Sequence, residues 1–325
     1  MSDWQSELKN LVRDPDELLH LLSLDHDDNL RGRLMRASQQ FPLRVTRDFV
    51  SQMKVADPND PLLRQILPVL DETEIVNGYT EEPLKETAGY IPTRGLVHKY
   101  NKRALFMVTG ACAINCRYCF RRHFPYAEQV ISDSAVEALL ERVEYESLSE
   151  VILSGGDPLM LPTDKLSRLV DRLLSIPSVT TLRVHSRLPI VLPGRLDQEF
   201  IRWWNAIPLK KVIVIHANHA NEFSVKHERA FSQLTNTQLL NQAVLLRGVN
   251  DNSEAIINLS ETCFDYGVLP YYLHMLDKVS GAAHFNVPEV DALDIINEVR
   301  NRLPGYLVPR LVREEAGALS KTFIA

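Results

Sequence analysis

Cys112, Cys116 and Cys119 lie in the stretch TGACAINCRYCFRRHFPY (109–126), spaced C-x3-C-x2-C, with arginines at 117, 121 and 122. Three thiolates can hold three corners of a [4Fe–4S] cube. Ferredoxin-type sites use four cysteines, so a deficit of one leaves an iron open to a small molecule. The same residues admit other chemistry. His123 would complete a Cys3His zinc set. Aromatics between arginines would suit an RNA-binding zinc knuckle, and a solvated basic loop would leave the thiols unused. The fourth cysteine, Cys263 in EAIINLSETCFDYG, reads as a buried core thiol. A second candidate feature is Gly155-Gly156-Asp157 at the end of EVILSGGD, although glycines that end strands are common in βα loops.

These residues need a frame. From residue 104, short apolar runs rich in β-formers alternate with longer amphipathic ones. The runs are 104–110, 150–156, 180–186, 211–217, 241–248 and 268–276, with a seventh at 306–312. Helices are expected at 132–146, 163–175, 197–206 and 253–266. Continuous apolar runs suit parallel strands covered on both faces, and the alternation implies right-handed βαβ units. Six such units make a doubly wound sheet or a barrel. In either, reactive groups gather at the C-terminal ends of strands. The polar residues that follow each run are the cysteine loop, the Gly-Gly-Asp turn, Ser186-Arg187, His216 and His219, Asn250-Asp251, and Asp277. Residues 1–95 read as helical pieces broken by prolines (DPDELLHLL, DPNDPLLRQIL, EEPLKETAGYIPTRG), with aspartates as N-caps.

The 325 residues carry a formal net charge of -6, which speaks against broad nucleic-acid or anionic-membrane binding. No apolar run is long enough for a bilayer span, and the polar, acidic N-terminus lacks a secretory pattern. The expected setting is the cytoplasm, where clustered cysteines serve as metal or redox ligands rather than disulfides.

C-x3-C-x2-C followed by an aromatic and arginines, on the loop after the first strand of a (β/α)6 pattern, resembles the radical S-adenosylmethionine (SAM) enzymes. The turn Ser154-Gly155-Gly156-Asp157 stands where that superfamily has its GGE-type turn, with Asp for Glu. The resemblance narrows to the lysine 2,3-aminomutases through GLVHKYNKRALFMVTGACAINCRYCFRR, SGGDPLM, HSRLPIVLPGR, HANHANE, LLNQAVLLRGVND and PYYLHMLDKVSGAAHF. With DPDELL and PLLRQIL it is most similar to the branch that makes (R)-β-lysine for attachment to elongation factor P.

The resemblance implies a partial (β/α)6 radical-SAM barrel over 96–303, an N-terminal helical region at 1–95 and a C-terminal strand and cofactor segment at 304–325. It implies an isomerase that moves the amino group of L-lysine from C2 to C3, using a [4Fe–4S] cluster on Cys112, Cys116 and Cys119, SAM and pyridoxal 5′-phosphate (PLP). The protein's part is to position these groups. Lys321 falls at the PLP lysine, and Tyr100 and Arg103 at the PLP ring and phosphate. The Ser154–Asp157 turn, Ser186, His216 and Gln242 fall at the SAM site. Arg121 falls at the substrate-carboxylate clamp, and Asp277 and Glu314 at the acids that hold the distal ammonium.

The sequence also departs from the family pattern. Glu314 replaces an aspartate, EAGALS replaces a glycine run before Lys321, and the C-terminal zinc cysteines of larger members are missing. The expectation is therefore no structural zinc and an oligomer smaller than a zinc-tied tetramer, such as a homodimer. An electron donor such as flavodoxin or ferredoxin is implied. Two alternatives stand beside this reading: a 2,3-aminomutase for another amino acid such as glutamate, and a zinc-stabilised binding protein. From the residues alone, Lys321 reads as a solvated terminal lysine, Arg103 as a strand-flanking charge, and Asp277 and Glu314 as surface partners of Lys278 and Arg313.

Overall fold

The structure, a computed structural model, describes residues 3–25, 34, 37–86, 95–100, 102–125 and 148–325, with only the backbone of 96–100. The helix expected at 132–146 and the side chain of Tyr100 lie outside the described residues.

Strands β1 (Leu96–Tyr100), β2 (Arg103–Thr109), β3 (Glu150–Gly155), β4 (Thr181–Ser186), β5 (Lys210–Ile215), β6 (Thr237–Val244), β7 (Leu269–His274), β8 (Arg310–Arg313) and β9 (Thr322–Phe323) form one sheet in that spatial order. Pairing is parallel from β2 through β8 and antiparallel at the two edges, β1 on β2 and β9 on β8. The edges do not pair with each other, so the sheet is an open barrel. The six expected runs become β2 to β7 and the seventh becomes β8. β6 starts and ends four residues before its expected run. Its register is set by β5, with Lys211 opposite Thr237. Leu245 and Leu246, which lengthened the apolar run, are buried in the following loop. There their N–H groups donate to the His274 carbonyl at 2.8 Å and to Asn250 Oδ1 at 2.7 Å.

The helices form where apolar spacing and caps agree. In Thr163–Leu174 the buried Leu166, Val170 and Leu173 share one face. Asp197 caps Gln198–Ala206 and Asn252 caps Ser253–Asp265, accepting from the N–H of Phe200 at 2.8 Å and of Ala255 at 2.9 Å. Near the N-terminus, Asp14 caps Pro15–Leu21 and Asp60 caps Pro61–Arg64. The stretch 81–85 forms turns rather than a helix. Asp60 is buried and accepts from three backbone N–H groups, those of Leu62 at 2.8 Å, Leu63 at 2.9 Å and Lys54 at 3.0 Å. Asp60→Ala strands all three, and the expected cost is about 2 kcal/mol. It should appear as a lower urea midpoint at unchanged slope.

The N-terminal helices share the barrel's core. A single cluster of buried apolar side chains runs from Trp4, Leu18 and Leu62 through Phe106 and Leu153 to Trp204 and Leu311. Residues 41–72 also wrap behind the cysteine loop. Arg44 Nη1 donates to the Cys112 carbonyl at 3.1 Å, Asn115 Nδ2 to the Pro42 carbonyl at 2.8 Å, and Arg117 N–H to the Gln65 carbonyl at 2.9 Å.

Candidate active site

Strand alternation selects which side chains enter the barrel. Arg103 and Leu105, Ile152 and Ser154, Arg183 and His185, Val214 and His216, Gln242 and Val244, and Tyr272 and His274 follow the i, i+2 rule on β2 to β7 and just beyond. All line one cavity of about 540 Å³. Its rim carries Cys112, Cys116, Cys119, Arg121, the turn Ser154–Asp157, Ser186 and Arg187. Asp277, Glu314 and Lys321 complete it. Every expected site residue with a described side chain therefore faces this space. His219 is absent from the lining; its Nδ1 accepts from the Asn221 N–H at 3.2 Å and fixes a turn.

The Gly-Gly-Asp turn and the cysteine loop are tied backbone to backbone. Gly156 N–H donates to the Thr109 carbonyl at 2.7 Å and Asp157 N–H to the Ala111 carbonyl at 2.8 Å. A Cβ on Gly155 (φ +121°) would meet the Thr109 oxygen at 2.4 Å, and one on Gly156 would meet the Ala111 oxygen at 2.6 Å. Glycine is needed here for close approach. The buried Asp157 carboxylate accepts from Ser186 Oγ at 2.6 Å and from the N–H groups of Leu159, Arg187 and Leu188 at 3.0, 2.8 and 2.8 Å. Burial raises its pKa against these donors. Asp157 and Ser186 thus spend their side-chain oxygens on holding the turn. The Gln242 Oε1 is buried without a partner among the described residues.

Behind the thiols lies a buried set of charges. Glu72 accepts from Arg117 Nε and Arg122 Nη2, each at 2.8 Å, and forms a second contact with Arg117. Arg187 Nη1 reaches Cys116 Sγ at 2.8 Å, and Nη2 reaches Glu222 at 3.2 Å. Three guanidiniums face two carboxylates, an excess of positive charge suited to an anionic cluster. Burial, followed by repulsion from Asp157 and the other two thiols, pushes the Cys112 thiol up. Burial, then Cys116, pushes Cys119 to about 11. His123 turns away, its Nε2 at 3.2 Å from the Ser280 carbonyl, and among the described residues no three of His, Cys, Asp and Glu converge on a single ion. His123 is therefore not placed to complete a Cys3His zinc set, and three thiols with no fourth protein ligand beside them among the described residues are the donor set that a [4Fe–4S] cube with one open corner would take.

The other end of the cavity fits PLP. Lys321 Nζ pairs with Glu314 and lies 5.5 Å from the centroid of the Tyr272 ring. Arg103 and Arg183 approach Glu150 at 4.0 and 2.7 Å, two guanidiniums around one carboxylate. Arg183 Nε is buried without a partner among the described residues. That arrangement suits a phosphate. Arg313 pairs with Glu289 at 2.6 Å, so Glu314 faces inward and is not its partner. Asp277 has its pKa pushed to about 7 by burial first and then by Glu314, with Lys321 opposing. Arg121 is held by Glu86, whose carboxylate accepts from Nε and Nη2 at 2.7 Å each, while Nη1 donates to the Gly155 carbonyl at 3.2 Å.

Sequence reasoning missed Glu86, Glu72, Gln65, His185 and His274. His274 is buried and His185 half-buried; both are neutral, their pKa values lowered well below the usual range by desolvation and then by Arg183 for His185 and Lys321 for His274. Each leaves Nε2 without a partner among the described residues. Strand parity with Arg183 and Tyr272 was the available signal.

Residues 106–222 match the Radical SAM superfamily. The chain is 48% identical to L-lysine 2,3-aminomutase of Escherichia coli over 98% of its own length and 94% of that protein's. It is 42% identical to the enzyme of the same name from Haemophilus influenzae, over 99% and 96%. Identity to that of Clostridium subterminale is 31%, over 99% of this chain and 77% of the relative. A radical SAM methyltransferase from Sphaerobacter thermophilus is similar over 69% of each chain, at 16% identity and a TM-score of 0.46. Three thiols on the loop after the first parallel strand, a glycine turn locked against them and near-complete coverage by these relatives lead to one family: the chain belongs to the lysine 2,3-aminomutases of the radical SAM superfamily.

Proposed function

We propose that this protein converts L-α-lysine to (R)-β-lysine by moving the amino group from C2 to C3. When bound, the cluster and SAM supply the radical that abstracts hydrogen, and PLP carries the amino group. The observation that carries the reading is the charge layout of one cavity, with Arg121 on its rim and Asp277 with Glu314 beside Lys321. A carboxylate and a distal ammonium on one substrate match that layout, since buried charges need partners. Arg121 binds the carboxylate. Asp277 and Glu314 take the ammonium, and the extra methylene of Glu314 brings its carboxylate nearer to Lys321 than an aspartate would reach. Glutamate would set a second carboxylate against both acids, which disfavours it as substrate.

The N-terminal likeness to the elongation factor P branch supports delivery of the product to that factor. A flavodoxin or ferredoxin is the proposed electron source, the cytoplasm the compartment and a homodimer the proposed assembly. No nucleic acid or membrane takes part. No helix among the described residues is long and apolar enough to cross a bilayer.

The test is one anaerobic incubation of reconstituted protein with dithionite, SAM, PLP and L-lysine, followed by chiral amino-acid analysis. (R)-β-lysine is expected, and β-glutamate from glutamate as the sole product would overturn the reading. A pH profile adds detail. Asp277 is neutral below about 7 and anionic above it, so kcat/KM for lysine should rise as pH passes upward through that region. In Asp277→Asn that limb should flatten; an unchanged profile would remove Asp277 from the ammonium site.

A further inference from the structure

Arg187 follows β4 with its guanidinium buried between opposite charges. Nη1 donates to Cys116 Sγ at 2.8 Å and to the Tyr118 hydroxyl; Nη2 donates to Gln65 Oε1 at 2.8 Å and to Glu222 Oε2 at 3.2 Å. Its backbone N–H is fixed by Asp157 at 2.8 Å. Glu222 is fully buried, and its other oxygen accepts from Gln65 Nε2, Asn218 N–H and His219 N–H at 3.0, 2.8 and 3.1 Å. Sulfur, guanidinium and carboxylate thus form a chain held at each point by hydrogen bonds. Burial alone would make this guanidinium easier to deprotonate, but Cys116, Tyr118 and Glu222 together more than reverse that, and it stays charged.

A cube on three thiolates carries one net negative charge when oxidised and two after it accepts one electron from an external low-potential donor. Fixed positive charge and hydrogen bonds at a ligand sulfur favour the more negative form. We propose that Arg187, acting through Cys116, raises the reduction potential of the three-cysteine cluster, and that Glu222 partly offsets it. The proposal rests on the cluster reading above. Its test separates the two, because iron and sulfide content is measured before the potential.

The experiment is an EPR-monitored redox titration of the anaerobically reconstituted full chain without SAM. Arg187→Met should shift the midpoint to more negative values, and Arg187→Lys should fall between it and the unmodified protein. Glu222→Gln, which keeps an oxygen for the Gln65, Asn218 and His219 donors while removing the charge, should shift it the other way. Should Arg187→Met fail to hold iron, the opposite signs of Arg187→Lys and Glu222→Gln decide. A fully loaded Arg187→Met with an unchanged midpoint overturns the proposal, as does weaker SAM binding at unchanged potential. Shifts of one sign in both Arg187→Lys and Glu222→Gln, the mark of general loosening, overturn it too. Unmodified protein without sulfide-bridged iron would instead defeat the cluster reading.

Discussion

Lys321→Ala is expected to give a brown protein with full iron content, no borohydride-reducible PLP adduct and lysine turnover at background. Among the described residues that line the cavity, Lys321 is the only lysine, so none of those residues offers a second amine. Its side chain is 19% exposed, lies just before β9, and pairs with Glu314 over the Tyr272 ring rather than with Arg44, Gln65 or Arg187, which hold the cysteine loop. The cluster should therefore not notice the change. Removing the ammonium also takes away the cation that opposes the shift at Asp277, so the pKa of Asp277 moves further up from about 7. Lys321→Arg separates the two effects: it keeps a cation for Glu314 but cannot form a Schiff base. Both variants should lose the adduct. An adduct that survives in either one would place the PLP lysine elsewhere.

Gly156→Ala is expected to lower iron content several-fold although it adds one methyl group. The new Cβ would lie 2.6 Å from the Ala111 oxygen and 2.7 Å from the Gly110 carbonyl carbon. These are backbone atoms of the loop that presents Cys112, so no side chain can swing aside. Relief means moving the loop or the turn, and the turn is fixed through the four hydrogen bonds to Asp157. Overpacking of this kind costs about 1–3 kcal/mol in stability, and the displacement falls on a thiol that must meet a corner of a rigid cube. Gly194→Ala is the control, since nothing lies within 4 Å of a Cβ there. Iron content per chain, measured after identical reconstitution, distinguishes the two. Full loading in Gly156→Ala would mean that the close approach is unimportant.

The parallel strands were legible because each is a continuous apolar run that only a doubly covered sheet accommodates. The end of β6 was not, because Leu245 and Leu246 look the same in a strand as in a buried loop. β1 and β9 are edge elements, and β9 has only two residues, too short for any period to register. The thiol loop and the glycine turn were legible as local motifs. Their support was not. Glu72 lies 45 residues from Arg117, Gln65 lies 122 from Arg187, and Glu86 lies 35 from Arg121. Nothing in one sequence says which of many acids folds over which arginine. Lys321 has no local signal of any kind. It lies at the cavity just before β9, which pairs with β8, a pairing that the sequence reading did not foresee; the lysine itself came only from the resemblance.

Strand order that repeats chain order has a bearing on how the protein is made. Each strand can dock on the one translated just before it, so the emerging polypeptide needs no distant partner to wait for. Most groups that grip the thiol loop, from Arg44 to Glu222, are made well before Lys321, and the carbonyls of Ser280 and Gly281, which meet His123 and Arg122, follow later but still ahead of it. The amine proposed to hold pyridoxal is thus among the last parts of the site to be synthesised, and loading of that cofactor awaits a finished chain.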